Sequence, residues 1–396
     1  MAIKEQASAN SSARLFSTRE PPSLSTLKAL TSQKTSGSSY PLANRIEKNI
    51  PVYDCSALDL SSEASISAIQ DEWYHVLLHG PGVLVLKNMY TSHAVLNSAN
   101  AAFDSIIAAE KAANGVKGDH FSAGLTNSRI WNSFSKHCLQ DPESFFEYYS
   151  NPIMALICAA YLGPAYRITA QVNIVRPGGS PQTCHRDYHL GFQTAEDAAR
   201  WPRAMHLASQ LLTLQGAVAQ TDMPLESGPT RLLPYSQQME DGYLAYRLPE
   251  FSEYFEKSWV SLPLMKGDGL FFNPALMHAA GANESSDVHR SANLMQVSSA
   301  FGKPMETVDA IPLVERCWPL LHDKFKSEGF SRGVQDFISA VAEGYPFPTN
   351  LDRRPPAPGG MAPESEQDFL RRALSEGLSK EDVVHSLKTI RIDSAA

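Results

Sequence analysis

Cysteine is scarce in this chain of 396 residues. Only Cys55, Cys138, Cys158, Cys184 and Cys317 are present, odd in number and unclustered. Such a set points to reduced thiols in an intracellular compartment rather than to a disulfide framework. Long apolar runs are missing as well. No stretch approaches the ~18 uninterrupted apolar residues of a membrane span, and no apolar signal-peptide core follows Met1. A cytoplasmic protein with no membrane partner is therefore expected. Basic charge is not in excess either: 34 Lys and Arg face 42 Asp and Glu, a net charge of −8. That balance argues against a nucleic-acid or anionic-membrane partner.

The first fifty residues are rich in Ser, Thr and Ala, with Arg14, Arg19, Lys28 and Lys34 scattered among them, as in a mitochondrial transit peptide. Glu5, Glu20 and the Pro21-Pro22 pair weigh against that reading. A flexible or partner-packing extension over 1–50 is expected instead.

What is present is an ordinary globular composition, 43% hydrophobic and 19% charged, long enough to bury a substantial core. Apolar spacing at Ile66, Ile69, Trp73, Val76 and Leu77 predicts a helix over 62–79, stopped by Gly80-Pro81-Gly82. Val83-Leu84-Val85-Leu86 reads as a short buried strand, and helices are predicted over 92–112, 142–149 and 152–162. Beyond Gly163-Pro164 the texture becomes β, with short apolar runs at 166–176, 207–221, 229–234, 259–264, 268–273 and 292–301. Many short strands without a βαβ rhythm favour a sandwich or barrel. A polar helical insert at 236–258 interrupts the series, and helices return after 310. A Pro/Gly-rich linker at 353–363 leads to two amphipathic helices, the second capped by Ser379. The expected division is an extension over 1–50, a main domain over 51–310 and a helical extension over 311–396, with the extensions as candidate contacts of a homodimer.

His185-Arg186-Asp187, followed far downstream by His278, carries the chemistry. In a strand, positions i and i+2 share a face, so His185 and Asp187 can converge on one ion. A turn at Gly267-Asp268-Gly269 and an apolar run lead to His278, which must come from a separate strand of the same system. Two imidazoles and one carboxylate on one face of Fe(II) form the facial triad of mononuclear non-haem oxygenases. Spacing alone leaves open a surface turn with a solvated Asp187 and a satisfied His185. Cys184, by alternation, points away from this pair and is read as packing. A kinase catalytic loop is excluded by Phe192 where Asn is needed, and a helical zinc motif by the missing Glu after His185.

Over residues 60–305 the chain resembles the phytanoyl-CoA dioxygenase family of iron(II)/2-oxoglutarate oxygenases. The matching blocks stand in order: Gly80-Pro81-Gly82-Val83, Gln171-Val172-Asn173, Arg176-Pro177-Gly178-Gly179 before His185-Arg186-Asp187, Glu226-Ser227-Gly228-Pro229 running to Ser236, and Lys266-Gly267-Asp268-Gly269 before His278, Asn283 and Arg290. Tyr235 and Gln237 depart from the family's Gly and His, and Ala280 stands where some members carry Ser.

The resemblance implies a double-stranded β-helix (a jelly roll, cupin-like) with flanking helices. It implies His185, Asp187 and His278 as Fe(II) ligands, 2-oxoglutarate and O2 as cosubstrates, and a small-molecule substrate. Arg290 is implied as the anchor of the far 2-oxoglutarate carboxylate, a role that suits a planar guanidinium fork. Gln182, Asn173 and Thr221 are further candidates for cosubstrate contact, and Arg129 for substrate contact. The implied reaction is oxidation of an unactivated C–H bond, by hydroxylation or by desaturation or ring closure, in specialised metabolism. An acyl-CoA 2-hydroxylase and a non-catalytic jelly-roll binding module are the alternatives.

Overall fold

A computed structural model describes residues 13–17, 20–114 and 127–396. The parts of the N-terminal extension at 1–12 and 18–19, Arg19 among them, lie outside the described residues.

Among the described residues the ten strands are β1 (Arg45–Glu47), β2 (Ile50–Asp54), β3 (Val83–Lys87), β4 (Asn127–Ile130), β5 (Arg167–Val175), β6 (Thr213–Ala219), β7 (Arg231–Leu232), β8 (Gly269–Phe272), β9 (His278–Ala279) and β10 (Arg290–Ser298). Eight form one sheet in the order β1-β2-β3-β8-β6-β10-β5-β4, and every pairing is antiparallel except β2 with β3. β7 and β9 form a second, small sheet. Isolated bridges from His185 to His278 and from Leu232 to Val260 widen it on both sides. The two sheets face each other as a jelly roll.

Alternation along the strands sorts the residues between two environments. Ile168, Ala170 and Val172 of β5, Leu214 and Val218 of β6 and Phe271 of β8 turn outward. They join the main apolar cluster with Trp73, Phe145, Phe337 and Leu370 from the helices that cover that face. Their neighbours Gln171, Asn173, Gln215, Ala217 and Phe272 turn inward and line the space between the sheets. The outer face is thus apolar and sealed, and the inner face is mixed and open to a ligand.

The helices follow their sequence signals closely. Glu63–Leu78 starts at Ser62, whose side chain accepts from the Ser65 amide. Pro142–Tyr149 and Pro152–Leu162 each begin with proline in the first turn, where its missing N–H goes unused. Glu366–Glu376 and Lys380–Ser394 close the chain, and Ser379 caps the latter. Helix Leu24–Thr31 packs onto the insert through Leu27 and through a Thr31–Tyr254 hydroxyl contact of 2.7 Å.

The structure departs from the sequence-based reading in several places. Residues 207–221 read as a single strand, but helix Arg203–Gln210 occupies the first part and β6 begins at Thr213. Pro202 opens the helix by accepting the Met205 amide at 2.8 Å, and Leu207 and Leu211 point to solvent. Residues 259–264 contribute isolated bridges at Val260 and Leu264 rather than a continuous strand. β1, β2 and β4 had no counterpart in the reading; each is short and gains its identity from pairing.

Candidate functional site

The central element of the site is a backbone pairing. His185 and His278 exchange both main-chain hydrogen bonds, at 2.9 and 3.0 Å, so their side chains leave the small sheet together. Their ring centroids are 4.3 Å apart. Asp187 lies two residues along from His185, on the same face. Its Oδ2 is 3.9 Å from His185 Nε2 and 3.7 Å from His278 Nε2. All three donor atoms lie within 4.8 Å of one another.

Each imidazole is oriented by its own backbone. His185 Nδ1 pairs with the Thr183 carbonyl at 2.8 Å, and His278 Nδ1 with the Leu276 carbonyl at 2.9 Å. A carbonyl only accepts, so each Nδ1 carries the proton and each Nε2 presents a lone pair toward Asp187. Burial, reinforced by the neighbouring His185, lowers the His278 pKa to about 4, which keeps that ring neutral near neutral pH. Two neutral imidazole nitrogens and a carboxylate oxygen, converging with their other atoms engaged, fit a single divalent cation.

Further side chains hold this set. Gln215 of β6 donates its amide N–H to Asp187 Oδ2 at 2.7 Å, and the Tyr243 hydroxyl donates to the Asp187 main-chain carbonyl at 2.9 Å. Phe272 of β8 packs on the His278 ring, 4.7 Å between centroids. Between the two ligand candidates, Arg186 points the opposite way and is fully buried. It donates to the carbonyls of Met239 and Ser236 and lies over the Tyr243 ring. Cys184 also turns away, into an apolar cluster with Leu233, Met239 and Met277, where burial pushes its thiol up to about 12.

Arg290 opens β10 and lines the same cavity as the triad. It is 6% exposed, and burial lowers its pKa to about 10. Its Nη1 donates to the carbonyls of Ser227 and Gly281 at 3.1 and 3.3 Å. Among the described residues it forms no ion pair with a carboxylate. A buried guanidinium without a counter-charge is costly unless an anion joins it, and a dicarboxylate reaching from the triad would supply one.

The remaining candidates divide. Gln182, Asn173 and Arg129 all line the cavity. Gln182 Oε1 accepts the Ala280 amide at 3.1 Å, Asn173 Oδ1 is buried without a hydrogen-bond partner among the described residues, and Arg129 donates to Gln171 at 3.3 Å. Thr221 lies elsewhere. β6 ends at Ala219, so strand alternation does not extend to Thr221. Its hydroxyl accepts the Ser291 amide at 3.0 Å and donates to the His289 carbonyl at 3.3 Å, beside a separate depression on the other side of the sheet. Asn283 has a structural task, donating to the carbonyls of Val175 and Val288 at 2.9 and 2.8 Å.

The cavity is about 600 Å³. Apolar side chains such as Met223, Leu264, Leu294 and Met305 share its wall with Gln171, Gln215 and Gln296. Among the described lining residues there is no lysine. No described helix is long and apolar enough to cross a membrane.

Comparison with known proteins agrees with the geometry. The phytanoyl-CoA dioxygenase (PhyH) family profile matches residues 78–292, more than half of the chain. The dioxygenase andF of Emericella variicolor is 27% identical over 185 residues, 43% of this chain and 58% of that protein. The match therefore spans less than two thirds of the relative's length. Among solved structures, the non-haem α-ketoglutarate-dependent epimerase SnoN from nogalamycin biosynthesis is 18% identical with a TM-score of 0.40, covering 60% of this chain and 84% of its own. The carbocyclase SnoK from the same biosynthesis is 18% identical with a TM-score of 0.41, covering 61% and 85%. The chain belongs to the phytanoyl-CoA dioxygenase family.

Proposed function

We propose that the protein is an iron(II)- and 2-oxoglutarate-dependent oxygenase that oxidises an unactivated C–H bond of a largely apolar small molecule, as a tailoring step in specialised biosynthesis. The oxygenase domain is assigned to residues 51–310, and the metal is assigned to His185, Asp187 and His278. The observation that carries the reading is the convergence of three donor atoms within 4.8 Å in a cavity that also holds the buried Arg290, which has no carboxylate partner among the described residues.

With iron(II) in place, 2-oxoglutarate and dioxygen supply the oxidising power, 2-oxoglutarate being converted to succinate and carbon dioxide as the substrate is oxidised. The chain's own residues bind and orient. His185 and His278 offer lone pairs fixed by their Nδ1–H bonds, and Asp187 offers the balancing charge. Arg290 would hold the distal carboxylate of the cosubstrate, and Gln182 and Asn173, which line the same cavity, would offer it further polar contacts. The apolar wall excludes water from the reacting carbon, and the carboxamides of Gln171 and Gln296, with Arg129, orient polar groups of the substrate.

The size of the cavity suits a drug-sized molecule together with the cosubstrate. An acyl-CoA substrate is disfavoured: no described lysine lines the cavity, and the Arg247 guanidinium at its edge already donates to the carbonyls of Gly191 and Gln193. A non-catalytic binding module would have no use for a complete donor set beside a buried arginine that has no carboxylate partner among the described residues.

The test is succinate formation by the purified protein with Fe(II), 2-oxoglutarate and ascorbate, with and without a panel of polycyclic natural-product precursors. Turnover abolished by Asp187→Ala supports the reading. No succinate under any condition, with no iron bound, favours the binding module.

A further inference from the structure

One rung of the large sheet supports two of the three ligand candidates. In the β6–β8 pairing Gln215 stands directly opposite Phe272. Gln215 bonds the Asp187 carboxylate, and Phe272 packs against the His278 ring. On its other side Gln215 is paired with Gln296 of β10. The side chain is thus held between two backbone-paired neighbours and is only 5% exposed.

The orientation of its amide is informative. The N–H end faces Asp187 Oδ2 at 2.7 Å, while the carbonyl oxygen is buried without a partner among the described residues. Leaving a buried acceptor unmet is costly. Reversing the amide would set a carbonyl against a carboxylate, which is worse. The unmet carbonyl is therefore the consequence of directing a donor at Asp187.

The bonded atom also matters. Oδ2 is the Asp187 oxygen nearest both imidazole Nε2 atoms. A donor on that oxygen takes one of its lone pairs, draws off part of its charge and fixes the rotation of the carboxylate. A carboxylate so held offers a single oxygen to a cation and keeps the neighbouring positions for other ligands.

We propose that Gln215 is a positioning residue for the metal: its amide N–H sets the rotation of the Asp187 carboxylate and keeps it a one-oxygen ligand. This rests on the assignment of His185, Asp187 and His278 to the metal. Gln215 is not a catalytic residue, since it acts only through Asp187.

Cobalt(II), added to the metal-free protein, is the probe, because its visible absorption reports coordination number and its titration reports affinity. Gln215→Met keeps the volume of the side chain and removes the donor. Its cobalt affinity is expected to fall about 10–100-fold, as for loss of other groups that orient metal ligands. Its absorption band is expected to change in intensity, which a purely structural role would not produce. Should this variant not fold, judged by thermal melting of the metal-free form, Gln215→Leu replaces it with the same expectation. A variant that folds and binds cobalt with wild-type affinity and an unchanged spectrum overturns the proposal for Gln215 alone. A wild-type protein that binds neither cobalt nor iron overturns the metal assignment and this proposal with it.

Discussion

His185 and His278 are joined by two main-chain hydrogen bonds of 2.9 and 3.0 Å, so the imidazoles are brought together by backbone rather than by each other. Their removal should therefore separate metal binding from folding. His185→Ala and Asp187→Ala are expected to lose iron by more than about 100-fold in affinity while melting within the ordinary range of a partly buried substitution, about 1 kcal/mol. Metal analysis after gel filtration, alongside a melting curve of the metal-free protein, checks both halves. Collapse of the fold on either substitution would mean that the side chains, not the bridge, hold these strands.

Arg290 tests the cosubstrate assignment. Arg290→Lys keeps a charge but loses the fork, and Arg290→Ala loses both. Affinity for 2-oxoglutarate is expected to fall about 10-fold for Lys and 100-fold or more for Ala, on the scale of about 1.5–3 kcal/mol for a charged hydrogen bond. Iron content should be unaffected. Some stability goes too, because Nη1 also bonds the carbonyls of Ser227 and Gly281. Calorimetric titration of 2-oxoglutarate into the iron-loaded, oxygen-free protein reads the effect, and an unchanged affinity removes Arg290 from the site.

Thr221 gives the opposite expectation. Its hydroxyl is committed to the Ser291 amide and the His289 carbonyl, away from the cavity. Thr221→Val should leave 2-oxoglutarate affinity within about twofold and lower stability by about 1 kcal/mol. A large loss of cosubstrate affinity would show that the strand end reaches the site after all.

The contrast between Arg290 and Thr221 shows what was legible from residue order. His185, Asp187 and His278 could be read because the period of a strand is two and because few chemistries use that trio. Arg290 could be read through family resemblance. Thr221 could not be placed, because alternation holds only while the strand lasts and β6 stops at Ala219. Gln215 lies in the run 207–221 that reads as a strand, yet its contact with Asp187 depends on how two sheets approach each other, which spacing does not encode. Arg186 is similar. Nothing in the run His185-Arg186-Asp187 announces that its middle member is buried and bonded to carbonyls some fifty residues downstream.

Asp336 predicts a pH dependence of stability distant from the site. It lies on helix Arg332–Val341, with Oδ2 buried and unpartnered among the described residues. Burial raises its carboxyl from 3.8 to about 7, with Arg332 pulling the other way. The folded state therefore holds this proton more tightly than the unfolded state. The stabilisation is fully present below the unfolded value near 3.8 and is lost as pH rises through about 7. Asp336→Asn is expected to be about 1–3 kcal/mol more stable than wild type above that range and nearly neutral at low pH. Urea unfolding at about pH 5 and about pH 8 measures the difference; equal effects at both would contradict it.

The measurement closest to the central claim is an oxygen-free titration of Fe(II) into the protein with 2-oxoglutarate present, followed by visible absorption. Chelation of the keto acid to iron held by two imidazoles and a carboxylate gives a charge-transfer band. The band should saturate at a single iron per chain in the wild type and be absent in Asp187→Ala. A wild-type protein that develops no such band at any iron concentration would contradict the account.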